Sequence, residues 1–454
     1  MKQDLDFIEL TNPYRANAVR ALQELIKINS VFDEKSASST APYGAGVEKA
    51  LKYVGRLARQ FGFDVDYCDN RATEMTFGQG ERLISIFAHA DVVPVGSGWK
   101  HEPFGAQIEK GKVFGRGVSD DKGPLIAAFY AIKALKDNNL INNYRVRLVV
   151  GGDEERGSSC LKYYFKDLKK EHPTYGFTPD ANFPVIYGEK GISNFRSRIN
   201  LVLPGIMKIN GGEAVNSVID STLVVMKSDA KFETFLKGLK NKTTIENING
   251  VSKITFHGKS AHGSTPQAGV NAALFAIEAL GTFYQNDILL KIFAQFRHFD
   301  GKPFKGYAKS KDLGETTYNL GVIAYDGKAL ELKVNFRYPE DVDDADFVRR
   351  FDEASGLTSE IYSRSPSLLF PLKSPLIKTL LNAYREETGD KRSKPLTMGG
   401  GTYAKEAPST VAFGAAFPDD NPHMHEADEH LILNNFYISM AIYARAVHML
   451  GNLK

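Results

Sequence analysis

Three short stretches gather acids and histidines in patterns that could do chemistry together. His89-Ala90-Asp91 follows the apolar run LISIFA, Asp153-Glu154-Glu155 follows VRLVVGG, and Asp120-Asp121 lies in GRGVSDDKGP. On an extended segment, residues i and i+2 point to the same side. Asp91 is thus placed to bond one ring nitrogen of His89 and leave the other for a metal, as partners of metal-bound histidines usually do. A His-Asp pair that only holds a loop has the same spacing. Three consecutive acids repel unless a positive charge or water offsets them. Their side chains diverge, so one glutamate can bind a cation while its neighbour reaches a water as general base; a solvated loop is the alternative. GRGVSDDKGP departs from the dinucleotide fingerprint G-x-G-x-x-G at its sixth position, where Asp120 would repel a pyrophosphate. FPDDNPHMHEADEH adds His423, His425 and His430, three of ten histidines, none of which stands out alone.

The elements that must carry these residues read as follows. PYRANAVRALQELIKI, 13–28, has helical spacing, with Asn12 as expected N-cap and Pro13 in the first turn. RLISIFAHADVVP and NYRVRLVVGGDEERG each open as a strand; GPLIAAFYAIKALKD and SSCLKYYFKDLKKE are helices. Alternation with short links argues for a largely parallel α/β sheet, whose ligand sites form outside the carboxyl ends of the strands. That is where His89, Asp91 and the DEE triplet fall. Beyond about residue 190 the strands alternate polar and apolar residues, and Asp326-Gly327 marks a hairpin. After SPLIKTLLNAYREETG the helical style returns, closing with a long helix from about Leu433. The expected architecture is α/β, a mixed and largely parallel sheet with helices on both faces, plus an inserted α+β domain with antiparallel sheet. Its boundaries are 1–190, 191–370 and 371–454, the first and last parts forming one domain. SASSTAPYGAG, 36–46, reads as a loop.

Composition narrows the function classes. A net charge of +3 over 454 residues, with basic residues scattered, argues against nucleic acid and membrane surfaces as partners. Two cysteines without metal or disulfide spacing suggest a reducing compartment. The acidic N-terminus lacks the apolar core of a signal peptide, and no apolar run is long enough to span a bilayer. A soluble, cytoplasmic protein is expected.

Taken in order, HADVVP, GWKHEPF, GRGVSDDKG, GDEERG, FTPDANFPVIYGEKG, GKSAHGSTPQAGVNA, NFRYP, GGGTYA and HMHEADE resemble the dinuclear zinc peptidases. That family includes carnosinases, aminoacylases, desuccinylases and bacterial dipeptidases. Each motif is modest, but the ordered set spans residues 89–429. The resemblance implies His89, Asp120, Glu155, Asp180 and His425 as ligands of two Zn²⁺, with Mn²⁺ or Co²⁺ as substitutes. Asp120 would bridge, His89 and Asp180 would complete one site, and Glu155 and His425 the other. His425 is preferred to His423 because it fits H-x-x-D-E. Glu154 would be the general base, and Asp91 would orient His89. Two Zn²⁺ bring about +4, which three carboxylates and a hydroxide offset; this count supports the resemblance in leaving Asp121 and Glu154 out of the ligand set. Asp121 is expected to turn toward Lys122 or a backbone amide, and the Asp120–Asp121 bond to be cis as in relatives.

The resemblance also makes the inserted domain a lid that supplies His262 to an oxyanion, with Asn216 and Arg337 beside it. Gly400, Gly401 and Thr402 would offer donors to a substrate carboxylate. The implied activity is hydrolysis of a dipeptide amide bond by a hydroxide bridging two metal ions. Alternatives are an N-acyl amino acid deacylase or desuccinylase on the same site, or a catalytically silent metal- or ligand-binding protein. The expected partner is a small peptide substrate, and the expected state a monomer, with a dimer as the alternative.

Overall fold

The computed structural model describes residues 5–239 and 242–453. It divides into two compact units. One holds the residues up to 187, 370–396 and those from 402 on; the other holds 188–369 and 397–401. Against the expected boundaries at 190 and 370, the added piece is the short 397–401 segment.

In the first unit the sheet runs Asp64–Asp66, Ala72–Gly78, Arg145–Gly151, Leu83–His89, Tyr175–Thr178 and Thr410–Ala412, with Ile186 pairing beside Ala412. Its four central strands are parallel, from Arg145–Gly151 to Thr410–Ala412. The strands outside them pair antiparallel. Every residue of Leu83–His89 is buried, as expected of a central parallel strand covered on both faces. The helix Lys122–Asp137 is buried nearly all round; it packs on that strand and against the closing helix Leu433–Gly451. Its sequence lacks a polar face for that reason.

The N-terminal helix corrects one expectation. Helical structure starts at Phe7, capped by Asp6, whose Oδ1 accepts from the Glu9 amide at 3.0 Å. Asn12 makes no cap, because the chain is already helical there (φ −52°, ψ −43°) and passes through a short 3₁₀ turn into Arg15–Ile26. A cap is needed only where amides lack partners.

The second unit holds an eight-stranded, wholly antiparallel sheet. Its order is Thr243–Ile248, Val251–His257, Ser221–Lys227, Ile206–Gly211, Thr317–Tyr325, Ala329–Tyr338, Gly191–Asn200 and Thr358–Ser365. Alternating burial along Gly191–Asn200 marks one core-facing side. The helices Ala272–Phe283, Asp287–Phe296 and Asp344–Ser355 contribute to the core of this unit. The hairpin turn follows Asp326, whose Oδ1 accepts from the amides of Lys328 and Ala329 at 2.9 Å each. Gly327 supplies the required positive φ of 90°. Among the described residues, no helix is long and apolar enough to cross a membrane.

Candidate metal centre

Three neighbouring parallel strands end at one place in the first unit. His89 closes its strand in register with Gly151, and Glu154 and Glu155 follow Gly151 by a few residues. Asp180 stands two residues past Tyr175–Thr178, on the other flank of the His89 strand. Asp120 comes from the loop before the Lys122–Asp137 helix, and His425 from the loop before His430–Ile432. Two groups result: His89, Asp120 and Asp180, and Asp120, Glu155 and His425, with the ligand atoms of each within 4.8 Å of one another.

Asp120 belongs to both groups, through different atoms. Its Oδ1 lies 2.9 Å from His89 Nε2, and its Oδ2 lies 2.9 Å from His425 Nε2. Asp180 Oδ2 is 3.9 Å from His89 Nε2, and Glu155 Oε1 is 3.2 Å from His425 Nε2. His89 is fully buried, while about half of the His425 side chain (51%) is exposed. The Tyr403 ring meets His89 edge-on at 6.1 Å. His423 and His430 join neither group; His430 instead faces Lys112 Nζ through Nε2 at 3.0 Å.

The acids around these groups divide their tasks. The ring nitrogen Nδ1 of His89 bonds the backbone oxygen of Asp91 at 3.0 Å, with the carboxylate at 3.5 Å. That carboxylate accepts mainly from the amides of Glu154 (3.2 Å) and Glu155 (3.1 Å). Asp91 therefore ties the DEE segment to the His89 strand. Asp153 is used at the next helix start, where Oδ2 accepts from the Ser159 amide at 3.1 Å and from the Ser159 hydroxyl. Asp121 is buried and accepts from the His89 amide at 3.1 Å; Lys122 turns instead to the carbonyls of Leu25 and Ile28. The Asp120–Asp121 peptide is cis.

Electrostatics shows what such a pocket needs. Burial alone would raise Asp120, but hydrogen bonds from His425 and His89 hold it well below the usual range. Burial, followed by the charge of Asp120, pushes Asp180 and Glu155 up. Burial pushes Glu154 up as well, helped by Glu155 and Asp120. Burial works to lower His425, yet hydrogen bonds to Asp120 and Glu155 carry it up to about 11. Imidazole and carboxylate donors in these groups fit a divalent metal cofactor.

The remaining candidates divide between the units. In the second unit, His262 is exposed and its Nδ1 lies 2.6 Å from Ser264 Oγ. The Ser264 amide also points at Nδ1, at 3.3 Å. Asn216 is exposed, and its carbonyl accepts from the Gly263 amide at 2.7 Å. Arg337 is buried, donating to Asn335 Oδ1 at 2.8 Å and to the Gly399 carbonyl. Gly400 and Gly401 belong to the same 397–401 segment. Thr402 falls in the first unit, buried, with its hydroxyl accepting from the Ala404 amide at 3.1 Å at the head of a 3₁₀ turn.

The sequence did not single out Glu429 or Tyr403. Glu429 stood only as the end of a spacing pattern, and its neighbour Asp428 shows the only available signal, a second acid beside the first. Asp428 Oδ1 accepts from the amides of Lys100 (3.0 Å) and His101 (3.1 Å).

Comparison with known proteins defines the class. Residues 86–449 match the model of Peptidase family M20/M25/M40, and the chain belongs to this family of peptide-bond hydrolases. Two curated bacterial relatives, each provisionally named a dipeptidase, align over nearly their whole lengths. The Staphylococcus epidermidis protein is 35% identical, covering 96% of this chain and 97% of its own. The protein YtjP of Bacillus subtilis is 34% identical, covering 96% and 98%. Among solved structures, the di-peptidase Dug1p of Saccharomyces cerevisiae (TM-score 0.60, 15% identity) and human carnosine dipeptidase 1 (0.60, 12%) each cover 98% of both chains. At these identities they establish the shared fold.

Proposed function

We propose that this peptidase is a metal-dependent dipeptidase working with two divalent cations, held by His89, Asp120 and Asp180 and by Asp120, Glu155 and His425. The observation that carries this reading is Asp120, which directs one carboxylate oxygen to each group. Dipeptidase names among the full-length relatives support the substrate class. Bound there, the cations would supply Lewis acidity and lower the pKa of a shared water toward neutrality.

The protein's own groups do the rest. Glu154 takes the proton from the attacking water and later gives it to the leaving amine. Burial and acidic neighbours push its carboxyl above the usual carboxylate range, the direction that brings an acid–base group nearer to neutral pH. Asp91, bonded to the amides of Glu154 and Glu155, sets the base and its neighbouring ligand as a pair. His262 is the oxyanion donor. An amide can only donate, so the Ser264 N–H makes Nδ1 an acceptor, and the neutral ring carries its proton on Nε2. Asn216 and Arg337 act with His262 in binding the substrate, and Gly400, Gly401 and Thr402 offer donors to its carboxylate. A monomeric, cytoplasmic enzyme completes the reading, in keeping with two free, buried cysteines.

The test is a panel of dipeptides, tripeptides and N-acetyl amino acids, each assayed with Zn²⁺, Mn²⁺ and Co²⁺. Dipeptides should be turned over fastest. Preference for N-acyl amino acids would make the enzyme a deacylase on the same site.

A further inference from the structure

Glu429 is fully buried and belongs to neither metal group. Its carboxylate nevertheless gathers four hydrogen bonds from one short loop. Oε1 accepts from the amides of Ser119 (2.9 Å) and Asp120 (3.2 Å). Oε2 accepts from the Gly117 amide (3.0 Å) and from Arg116 Nη1 (2.8 Å). The Glu429 carbonyl also accepts from the Gly115 amide at 3.0 Å. Arg116, itself buried, reaches onward to the Val95 carbonyl at 3.2 Å and lies over the Trp99 ring. His425 stands four residues before Glu429 on the same loop. One side chain thus fastens the segment bearing Asp120 to the segment bearing His425, residues 305 apart in sequence.

We propose that Glu429 is a positioning residue of the metal centre, holding Asp120 and His425 at the separation their shared cation requires. The inference rests on the metal reading of the two groups given above. Its chemistry demands a carboxylate, because all four partners are N–H donors. A glutamine would turn its NH₂ toward two of them whichever way the amide flipped. Glu429→Gln keeps shape and size but breaks the clamp, which distinguishes positioning by acceptors from simple space filling.

The experiment titrates the metal-free, full-length protein with Co²⁺, followed by visible absorption and calorimetry. The wild-type protein should take up two ions per chain. Glu429→Gln should bind one of them about 10–100-fold more weakly, the usual effect of losing a partner of a metal ligand. The absorption component it loses should be the one lost in His425→Ala, and kcat should fall while KM changes little. Two ions bound with wild-type affinity and spectrum would overturn the positioning role, whatever the melting temperature. Absence of Co²⁺ uptake by the wild-type protein would sink the metal reading as well, so the two failures are separable. Should Glu429→Gln not fold, Arg116→Lys keeps a cation but removes the second donor contact. A severalfold weakening of that same ion is expected there, and an unchanged titration counts equally against the proposal.

Discussion

Asp120 differs from every other candidate ligand in having a stake in both groups. Replacing it should therefore have a different consequence from replacing a ligand of one group. Asp120→Ala should bind neither cation tightly, whereas Asp180→Ala and His425→Ala should each retain one, as read by metal analysis after gel filtration. Equal stoichiometries in all three would rule out a shared ligand. Glu154 should behave in the opposite way: Glu154→Gln should keep both cations and lose about 10²–10⁴-fold in kcat. A metal-depleted Glu154→Gln would mark it as a ligand instead. Protons give a third test. With His425 raised to about 11 by Asp120 and Glu155, it is protonated in the metal-free protein at pH 7 and must be neutral to bind a cation. Adding Zn²⁺ should therefore release protons, measurable with an indicator dye in weak buffer; proton uptake would contradict that assignment.

The parallel strands are what bring these residues together, and their packing leaves little slack. Gly151 pairs with His89, and its carbonyl accepts from the Ala90 amide at 2.9 Å. A Cβ at Gly151 would overlap the Tyr403 hydroxyl and crowd Cys160 Sγ. Gly151→Ala should cost about 1–3 kcal/mol through overpacking and lower kcat with it, because the strand end carries the DEE segment. An unchanged urea midpoint would show that Tyr403 can move aside. This level was also the most legible in the sequence. Apolar runs ending in acids located the strand ends, but the strand stops at His89 and the Asp91 carboxylate accepts from the Glu154 and Glu155 amides. Asp180 could not be read this way, since its nearness to His89 depends on which strands become neighbours. The supposed Asn12 cap was wrong because local residue preference says nothing about a chain already helical before Asn12. Glu429 escaped for a similar reason: three of its four partners are backbone amides, which leave no trace in residue types.

Each unit closes around its own hydrophobic core, and the metal groups lie in the first unit alone. Chelation should therefore lower one thermal transition and leave the other in place. A cation present at 100 times its Kd stabilises the state that binds it by about 2.7 kcal/mol, so scanning calorimetry should resolve the shift. A single transition that moves as a whole would mean the two cores melt together. The division of the chain also reaches beyond what motifs could indicate, because 397–401 joins the second unit from between two pieces of the first. Finally, the order of ligands along the chain has a consequence for synthesis. His89, Asp120 and Asp180 are all translated early, whereas the second group waits for His425, 305 residues after Asp120. At about 5–20 residues per second, roughly 10–50 s pass between the completion of one ligand set and the arrival of the last ligand of the other. During that interval the nascent chain has the residues to capture one cation but not those to hold the pair, so hydrolytic competence comes late in its making.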